Sequence, residues 1–439
     1  MSKISVLPPS GFRDFTPEES AARNFLIERI SEIYLSHGFQ AIAMPFLENL
    51  ATLEGKGGGA GNEKLIFKVL KRGEALTRSL EAGAANLADM GMRFDLTLPL
   101  ARYYSRFKQQ LPKPFKVFQI GPVWRADSPQ KGRYREFYQC DVDILGSREI
   151  GAEADCMAAI LKVFSSLQVE NVELHLNDRR LLAALKDSDL SEAQWAEALV
   201  TLDKLDKVER AGVEEELTSK FGRVPEGIRL VLDGASLEKL MTIESESVSS
   251  LKSLVEVLSA AIPGAKVQFN PSLVRGQDYY TGTIFELRHP DLSGSLGGGG
   301  RYNRLLEVFG GEEVPAFGGS IGFERLFLLL QEKAEKLNVT STPNVFLPLF
   351  SAEMRAPLMK LALEMRAAGL RVDIYPDAAK LKNQFKYADD RKIPYTVIIG
   401  GDELASGVVK LKSMAERSEE AVPMNELVQR LVQLNRIKL

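Results

Sequence analysis

The sequence predicts an α/β protein of two domains: an N-terminal α+β domain on antiparallel strands and a small C-terminal α/β domain on a mainly parallel sheet. Three observations point there. The chain has 439 residues, enough for two or more hydrophobic cores. Residues 115–145 read as a long-looped antiparallel hairpin in which polar and apolar positions alternate. Beyond residue 343, strand-like and helix-like stretches alternate.

Composition narrows the function classes. The 45% hydrophobic and 26% charged fractions are those of an ordinary soluble globular protein. The N-terminus has no apolar core of signal-peptide length, and no run of about 18 apolar residues occurs, so no membrane span and a cytoplasmic location are expected. Cys140 and Cys156 form neither a disulfide framework nor a Cys-x-x-Cys zinc site. The net charge of −3 argues against a generic polyanion binder. Locally, residues 101–135 hold nine cations (Arg102, Arg106, Lys108, Lys113, Lys116, Arg125, Lys131, Arg133, Arg135) and one acid, Asp127. Such a cluster is either a solvated basic face or a phosphate-binding surface.

Thr16-Pro17-Glu18-Glu19 has capping-box spacing, with Ala22, Phe25, Leu26, Ile30, Ile33 and Tyr34 following at helical period before Gly38 closes the helix. Residues 39–45 read as a strand ended by Pro45. Residues 55–61 are too glycine-rich for an element interior, and without a following Gly-Lys-Ser/Thr they are not a P-loop. Phe94-Asp95-Leu96-Thr97-Leu98 alternates as a strand closed by Pro99. It would set Asp95 and Thr97 on one face, either to hold an ammonium or as a solvent-facing edge.

A strand from Phe115 to Trp124 leads into the loop 125–133 and a second strand through Leu145. On the latter, Gln139, Asp141 and Asp143 share one face while Tyr138, Cys140, Val142 and Ile144 share the other. Residues 177–266 are charge-rich and helical in pattern, which predicts an inserted module. In residues 273–286, Arg275 stands ahead of Tyr279, Tyr280 and a run of strand formers, a grouping suited to a phosphate beside a small polar ligand. Gly297-Gly-Gly-Gly-Arg-Tyr302 either admits a ligand against bare backbone or makes a flexible turn. Gly318-Gly-Ser-Ile-Gly-Phe-Glu-Arg325 reads as a glycine-bearing strand running into a helix that opens with an arginine. A polar linker at 331–343 is followed by strands near 344–350, 370–375 and 395–399 and helices near 354–368 and 380–390. His37, His175 and His289 lack partners that suggest catalysis, so no general-base histidine is expected.

Taken in order, these stretches resemble the histidyl-tRNA synthetases over nearly the whole chain. The first helix and residues 39–45 resemble motif 1 of the class II synthetases, which implies a homodimer. Residues 115–145, ending Gly-Arg-Tyr-Arg-Glu-Phe-Tyr-Gln-Cys-Asp-Val-Asp, resemble motif 2 in its histidyl form. Residues 318–326 resemble motif 3, residues 273–286 the family's histidine-binding segment, and 380–390 with 407–412 a shared anticodon-binding domain. The resemblance implies a catalytic domain over 1–330 on a class II antiparallel sheet, with 177–266 inserted, and an anticodon-binding domain over 344–439. The insertion either leans on the tRNA acceptor stem or is a stabilising appendage.

The activity implied is ligation of L-histidine to tRNA-His. Histidine and ATP, carried with Mg²⁺ and no protein-bound structural metal, form histidyl-adenylate and pyrophosphate; the histidyl group then passes to the 3′ end of tRNA-His and AMP leaves. Because the first step brings two anions together, positioning and charge neutralisation carry the catalysis. By the resemblance, Arg125, Arg275 and Arg325 are catalytic and, with Arg133, bind ATP. Asp95, Thr97 and Gln139 hold the amino end of histidine. Asp143 and Tyr280 take the two imidazole nitrogens, with Tyr279 in the same pocket, since an apolar pocket alone could not exclude side chains of similar size. Asp95 and Asp143 stand where many bacterial members carry glutamate, which resembles the eukaryote-like branch. The loop Ser128-Pro129-Gln130-Lys131 departs from the bacterial form with arginine before the proline. Weaker dependence on the extra 5′ guanosine of tRNA-His is therefore expected, with Gln130 and Lys131 on the acceptor end. The competing reading is the synthetase-like regulatory subunit of ATP phosphoribosyltransferase, which binds without ligating. That family typically lacks the C-terminal domain and the complete arginine set present here. A paralogue that activates histidine for another acceptor is a third reading.

Overall fold

The computed structural model describes residues 4–54, 62–83, 87–129, 134–274, 279–292, 294–331 and 341–436. The chain divides into two compact units, Met1–Asp14 with Arg23–Lys333 and Phe15–Ala22 with Ala334–Leu439. The first helix, Pro17–Ser36, starts at the capping box: the Thr16 N–H donates to Glu19 Oε2 at 3.0 Å and the Glu19 N–H to Thr16 Oγ1 at 3.3 Å. Gly38, with φ +78°, supplies the left-handed residue that ends it.

The strands of the first unit are β1 (Gln40–Ala41), β2 (Leu47–Asn49), β3 (Lys68–Leu70), β4 (Ala88–Met92), β5 (Phe115–Trp124), β6 (Glu136–Leu145), β7 (Glu173–Asp178), β8 (Lys266–Phe269), β9 (Thr283–Arg288), β10 (Gly297–Arg301) and β11 (Ala316–Gly322). Eight form one sheet in the order β1-β5-β6-β11-β10-β9-β7-β8. It is antiparallel except at its ends, where β1 runs parallel to β5 and β8 to β7. The β5–β6 hairpin pairs from Phe115 with Leu145 to Trp124 with Glu136 without a bulge. Its apolar face is buried at Cys140, Val142 and Ile144, and the helix Ile150–Ser166 packs on that side, its Cys156 thiol reaching Phe317 O at 3.9 Å.

Between β7 and β8 the chain leaves the sheet for helices spanning 179–261, among them Glu192–Leu202, Leu205–Phe221 and Ser245–Ala261. Several cations of this region are engaged locally: Lys204 with Glu216 at 2.7 Å, Arg210 with Asp233 at 2.8 Å, and Arg223 with Asp187 and Asp189 at 2.6 and 2.7 Å.

Two stretches differ from their predicted form. Residues 94–98 are not a strand. The backbone bends after β4, Asp95 lies in that bend, and Thr97 opens the helix Thr97–Phe107. The Leu98 N–H donates to Asp95 Oδ1 at 3.1 Å, and Pro99 sits in the first helical turn, where its missing N–H costs nothing. The strand expected over 39–45 shortens to β1, whose Gln40 and Ala41 pair with Val117 and Phe118 of β5. The glycine run, open between two readings in sequence, is strand β10, flanked by β9 and β11.

The second unit contains β12 (Val345–Leu347), β13 (Val372–Ile374), β14 (Tyr395–Ile398), β15 (Val408–Ser413) and β16 (Ser418–Pro423), in the order β13-β12-β14-β15-β16. The first three are parallel, with helices Arg355–Ala367 and Leu381–Asp390 between them. The sheet is mixed rather than mainly parallel, since β15 and β16 add an antiparallel hairpin. Among the described residues, no helix is long and apolar enough to cross a membrane.

Candidate active site

Strand pairing sets the floor of the site. Across β5, β6, β11, β10, β9 and β7, one register row runs Val117, Asp143, Gly318, Gly300, Ile284, Asn177, and the next Gln119, Asp141, Ser320, Gly298, Glu286, His175. Directly paired residues share a face, so the three polar residues of β6 border a trough whose middle strands carry glycine. Glycine is required there. A Cβ at Gly318 would collide with the Asp143 carboxylate, and one at Gly300 would lie 2.9 Å from Thr283 O and 3.1 Å from Tyr280.

Asp143, 2% exposed, accepts from Tyr302 Oη at 2.6 Å through Oδ1, while Oδ2 is buried without a partner. Burial lifts its carboxyl to about 7, against the Tyr302 bond that lowers it and with the Asp95 charge adding to the rise. Asp95, 3% exposed, repeats the arrangement: Oδ1 is taken by the Leu98 N–H and Oδ2 is unpartnered. Its carboxyl is raised to about 6 by burial, opposed by the Leu98 bond and the Arg125 charge. Asp141 is pushed up by burial and then by Asp143, with a Ser320 hydrogen bond opposing. Gln139 Nε2 donates to Asp141 Oδ1 at 3.5 Å, and its own Oε1 is buried without a partner.

Thr97 reaches this group from its helix start and hydrogen-bonds Tyr279. Tyr279 meets Tyr280 edge-on with ring centres 5.0 Å apart, and Tyr302 at 6.0 Å. Burial, then the charges of Asp141, Asp143 and Asp95, hold the Tyr280 phenol protonated well above its usual range. The result is a buried basin rich in acceptors, with three open acceptor atoms and phenols along one side. It suits a small ligand carrying an ammonium and ring N–H donors.

Arg125 stands beside the basin, its Nε donating to Phe94 O at 3.0 Å and its guanidinium 5.0 Å from the Phe137 ring centre. Arg325, in the helix Phe323–Gln331, donates to Ser295 O. The preceding residue locks that helix: Glu324 takes both guanidinium arms of Arg23 at 2.5 and 2.9 Å and accepts from the Tyr138 N–H at 3.3 Å. Arg23 lies against the rings of Tyr138, Phe323 and Phe327. The structure thus gathers Asp95, Thr97, Gln139, Asp143, Tyr279 and Tyr280 in one basin, with Arg125 at its edge. Gln130, Lys131, Arg133 and Arg275 lie outside the described residues, as does the glycine-rich stretch 55–61. No role fell to Tyr302, Arg23 or Glu324 from sequence, because each acts through a contact at least 150 positions away. Asp141 shares the parity of Gln139 and Asp143, a signal already present in the strand pattern. Among the described residues, no group of three or more His, Cys, Asp or Glu side chains is arranged to hold a metal ion.

Two known families match successive parts of the chain. Residues 11–326 match the family described as Histidyl-tRNA synthetase, and residues 344–434 the family described as Anticodon binding domain. A Histidine–tRNA ligase of Phocaeicola vulgatus is 36% identical over 96% of this chain and 97% of its own length. One from Leifsonia xyli is 39% identical over 86% and 91%. The crystal structure of histidyl-tRNA synthetase from Nostoc sp. PCC 7120 superposes with a TM-score of 0.82 at 29% identity, covering 98% of this chain and all of that one.

Proposed function

Because the chain belongs to the histidyl-tRNA synthetase family, we propose that its basin seats histidine beside the α-phosphate of ATP, each residue holding a defined atom. The overall reaction is ligation: histidine and ATP give histidyl-adenylate and pyrophosphate, then tRNA-His takes the histidyl group and AMP leaves. The observation that carries the site reading is the pair of buried, unpartnered oxygens, Asp95 Oδ2 and Asp143 Oδ2. A buried acceptor left open costs about 1–3 kcal/mol unless a ligand fills it.

Asp143 Oδ2 accepts from one imidazole N–H, and the Tyr280 hydroxyl meets the other ring nitrogen. Asp95, Thr97 and Gln139 take the α-ammonium, and Tyr279 braces Thr97 and Tyr280. Arg125 holds the histidine carboxylate against the α-phosphate. Arg275 approaches that phosphate from another side, and Arg133 and Arg325 hold the outer phosphates, so the charge built up in the in-line displacement meets fixed cations. Mg²⁺ arrives with the ATP. In the second step the 3′-hydroxyl of tRNA attacks the adenylate, and a phosphate oxygen takes its proton.

The proposal extends to the rest of the chain. Residues 1–330 are the catalytic domain, with 177–266 inserted, 331–343 link, and 344–439 bind the anticodon region. Gln130 and Lys131 contact the acceptor end. Two copies meet through the segment after the first helix, where Phe46 and Leu47 are exposed. The proposed location is the cytoplasm, where charged tRNA is consumed.

Pyrophosphate exchange into ATP, measured with each of the twenty amino acids and Mg²⁺ but without tRNA, tests the site. Exchange with histidine alone is expected. Exchange with none of them would favour the regulatory-subunit reading and turn the arginines into ligand sensors.

A further inference from the structure

One buried charge beside the acid basin has no part in the roles above. Arg93 follows β4, two residues before Asp95, and is 3% exposed. Its Nε donates to Pro122 O at 3.0 Å, and its Nη1 to Met44 O at 3.1 Å and Pro45 O at 3.4 Å. Its guanidinium stacks 4.7 Å from the Phe46 ring centre. The main chain is tied down as well: the Arg93 N–H donates to Phe46 O, and the Trp124 N–H to Arg93 O, both at 3.0 Å. The stretch that delivers Asp95 is therefore clamped between residues 44–46 and the end of β5, where Arg125 emerges.

The free end of the guanidinium lies on the basin side of the sheet. A Cβ at Gly121 would stand 2.7 Å from Arg93 Nη2, and Gly121 pairs with Gln139, one same-face step from the Gln119–Asp141 pair. Gln119 Nε2 is buried there without a partner. Among the described residues, the hydrogen bonds of Arg93 run to carbonyl oxygens, so its charge is balanced through space, by Asp141 first and Glu48 next. Glu48 is already held by both arms of Arg102 at 2.7 Å, which leaves Asp141 as the acid that needs Arg93.

We propose that Arg93 is a positioning residue for the histidine half of the site, fixing the stretch that carries Asp95 and supplying a permanent positive charge behind the acid cluster. The inference rests on the histidine reading of the basin. Around Asp141 stand Gln139 and Asp143 on β6, Gln119 on β5, Ser320 on β11, Asp95 and Arg125 at the basin edge, and Tyr280. Of these, Arg125 is the other described cation, so removing Arg93 makes Asp141 harder to ionise.

Histidine-dependent pyrophosphate exchange by wild type, Arg93→Gln and Arg93→Lys, followed from about pH 6 to about pH 9 across the range where such raised carboxyls titrate, tests this. Arg93→Gln is expected to raise KM for histidine about tenfold or more while KM for ATP stays within about twofold. It should also move the acid limb of kcat/KM for histidine to higher pH. Arg93→Lys keeps the charge but cannot span Pro122 and Met44, so it should raise KM for histidine and leave the acid limb in place. An unchanged KM for histidine, equal rises in both KM values, or an unmoved limb in Arg93→Gln overturns the proposal. If Arg93→Gln does not fold, Arg93→Lys decides alone, and a displaced limb there overturns it. A wild type without histidine-dependent exchange would sink the histidine reading instead, leaving the two failures distinct.

Discussion

Tyr302 donates its hydroxyl hydrogen to Asp143 Oδ1 at 2.6 Å, so one oxygen of the acid is fixed and the other is presented, unpartnered, to the basin. Tyr302 is buried at the end of the glycine strand β10, and Asp143 lies on β6 with β11 between them. The contact joins the end of the glycine-rich strand to β6 across β11. It fixes the orientation of the Asp143 carboxylate.

Removing that hydroxyl in Tyr302→Phe is expected to raise KM for histidine about tenfold, the effect of one lost hydrogen bond to a charged group, with KM for ATP nearly unchanged. Asp143→Asn should be worse, because its amide presents a donor where an acceptor is needed. Steady-state exchange kinetics with each substrate varied check both.

The buried acids also predict the pH dependence of stability. Asp95 and Asp143 titrate at about 6 and about 7 in the fold, above the usual carboxylate range. Between about pH 4 and those values the folded chain keeps protons that the unfolded chain has released, so stability contributed by these groups falls as pH rises through that window. Ligand-free Asp143→Asn should therefore lose less stability than wild type between about pH 5 and about pH 8 in denaturant titrations. Parallel curves would refute the assignment.

Gly318→Ala places a methyl group against the Asp143 carboxylate and between paired backbones. Loss of histidine-dependent exchange by about a hundredfold is expected, since a misplaced first contact costs that much. Circular dichroism checks that the sheet persists, and full activity in the variant would mean the trough is not the ligand site.

For Arg275→Ala, adenylate formation should drop about a hundredfold or more, as when one preorganised contact to the transition state is lost. Single-turnover formation of histidyl-adenylate is the direct measurement. Unchanged turnover would make Arg275 a structural residue.

Charging of tRNA-His transcripts with and without the extra 5′ guanosine tests the loop carrying Gln130 and Lys131. Rates within about tenfold of each other are expected, no more than a single discriminating contact gives. A loss of several orders of magnitude on omission would contradict it.

Much of this molecule is legible from local pattern. The capping box at Thr16, the β5–β6 hairpin with its polar face, and the alternating elements after residue 343 follow from period, capping chemistry and breakers, which act within a few residues. The basin residues of β6 are legible for the same reason, since strand parity sets Gln139, Asp141 and Asp143 on one side. Residues 94–98 mislead because five alternating positions fit a strand as well as a helix start. The deciding fact, Asp95 accepting the Leu98 N–H, belongs to the turn geometry. That the four glycines form a central strand rather than a turn was settled by neighbours on both sides.

The sequence by itself determined the two-layer chemistry of the hairpin, the order of the motifs and the family they resemble. Only the tertiary structure decided which atoms of those residues are spent on the fold and which remain open for a ligand. Tyr302 consumes one oxygen of Asp143, Leu98 one of Asp95, and Arg23 both of Glu324, and two of these three partners lie far away along the chain. Hydrogen-bond capacity is a local property of each side chain, but its satisfaction depends on what burial brings within about 3 Å.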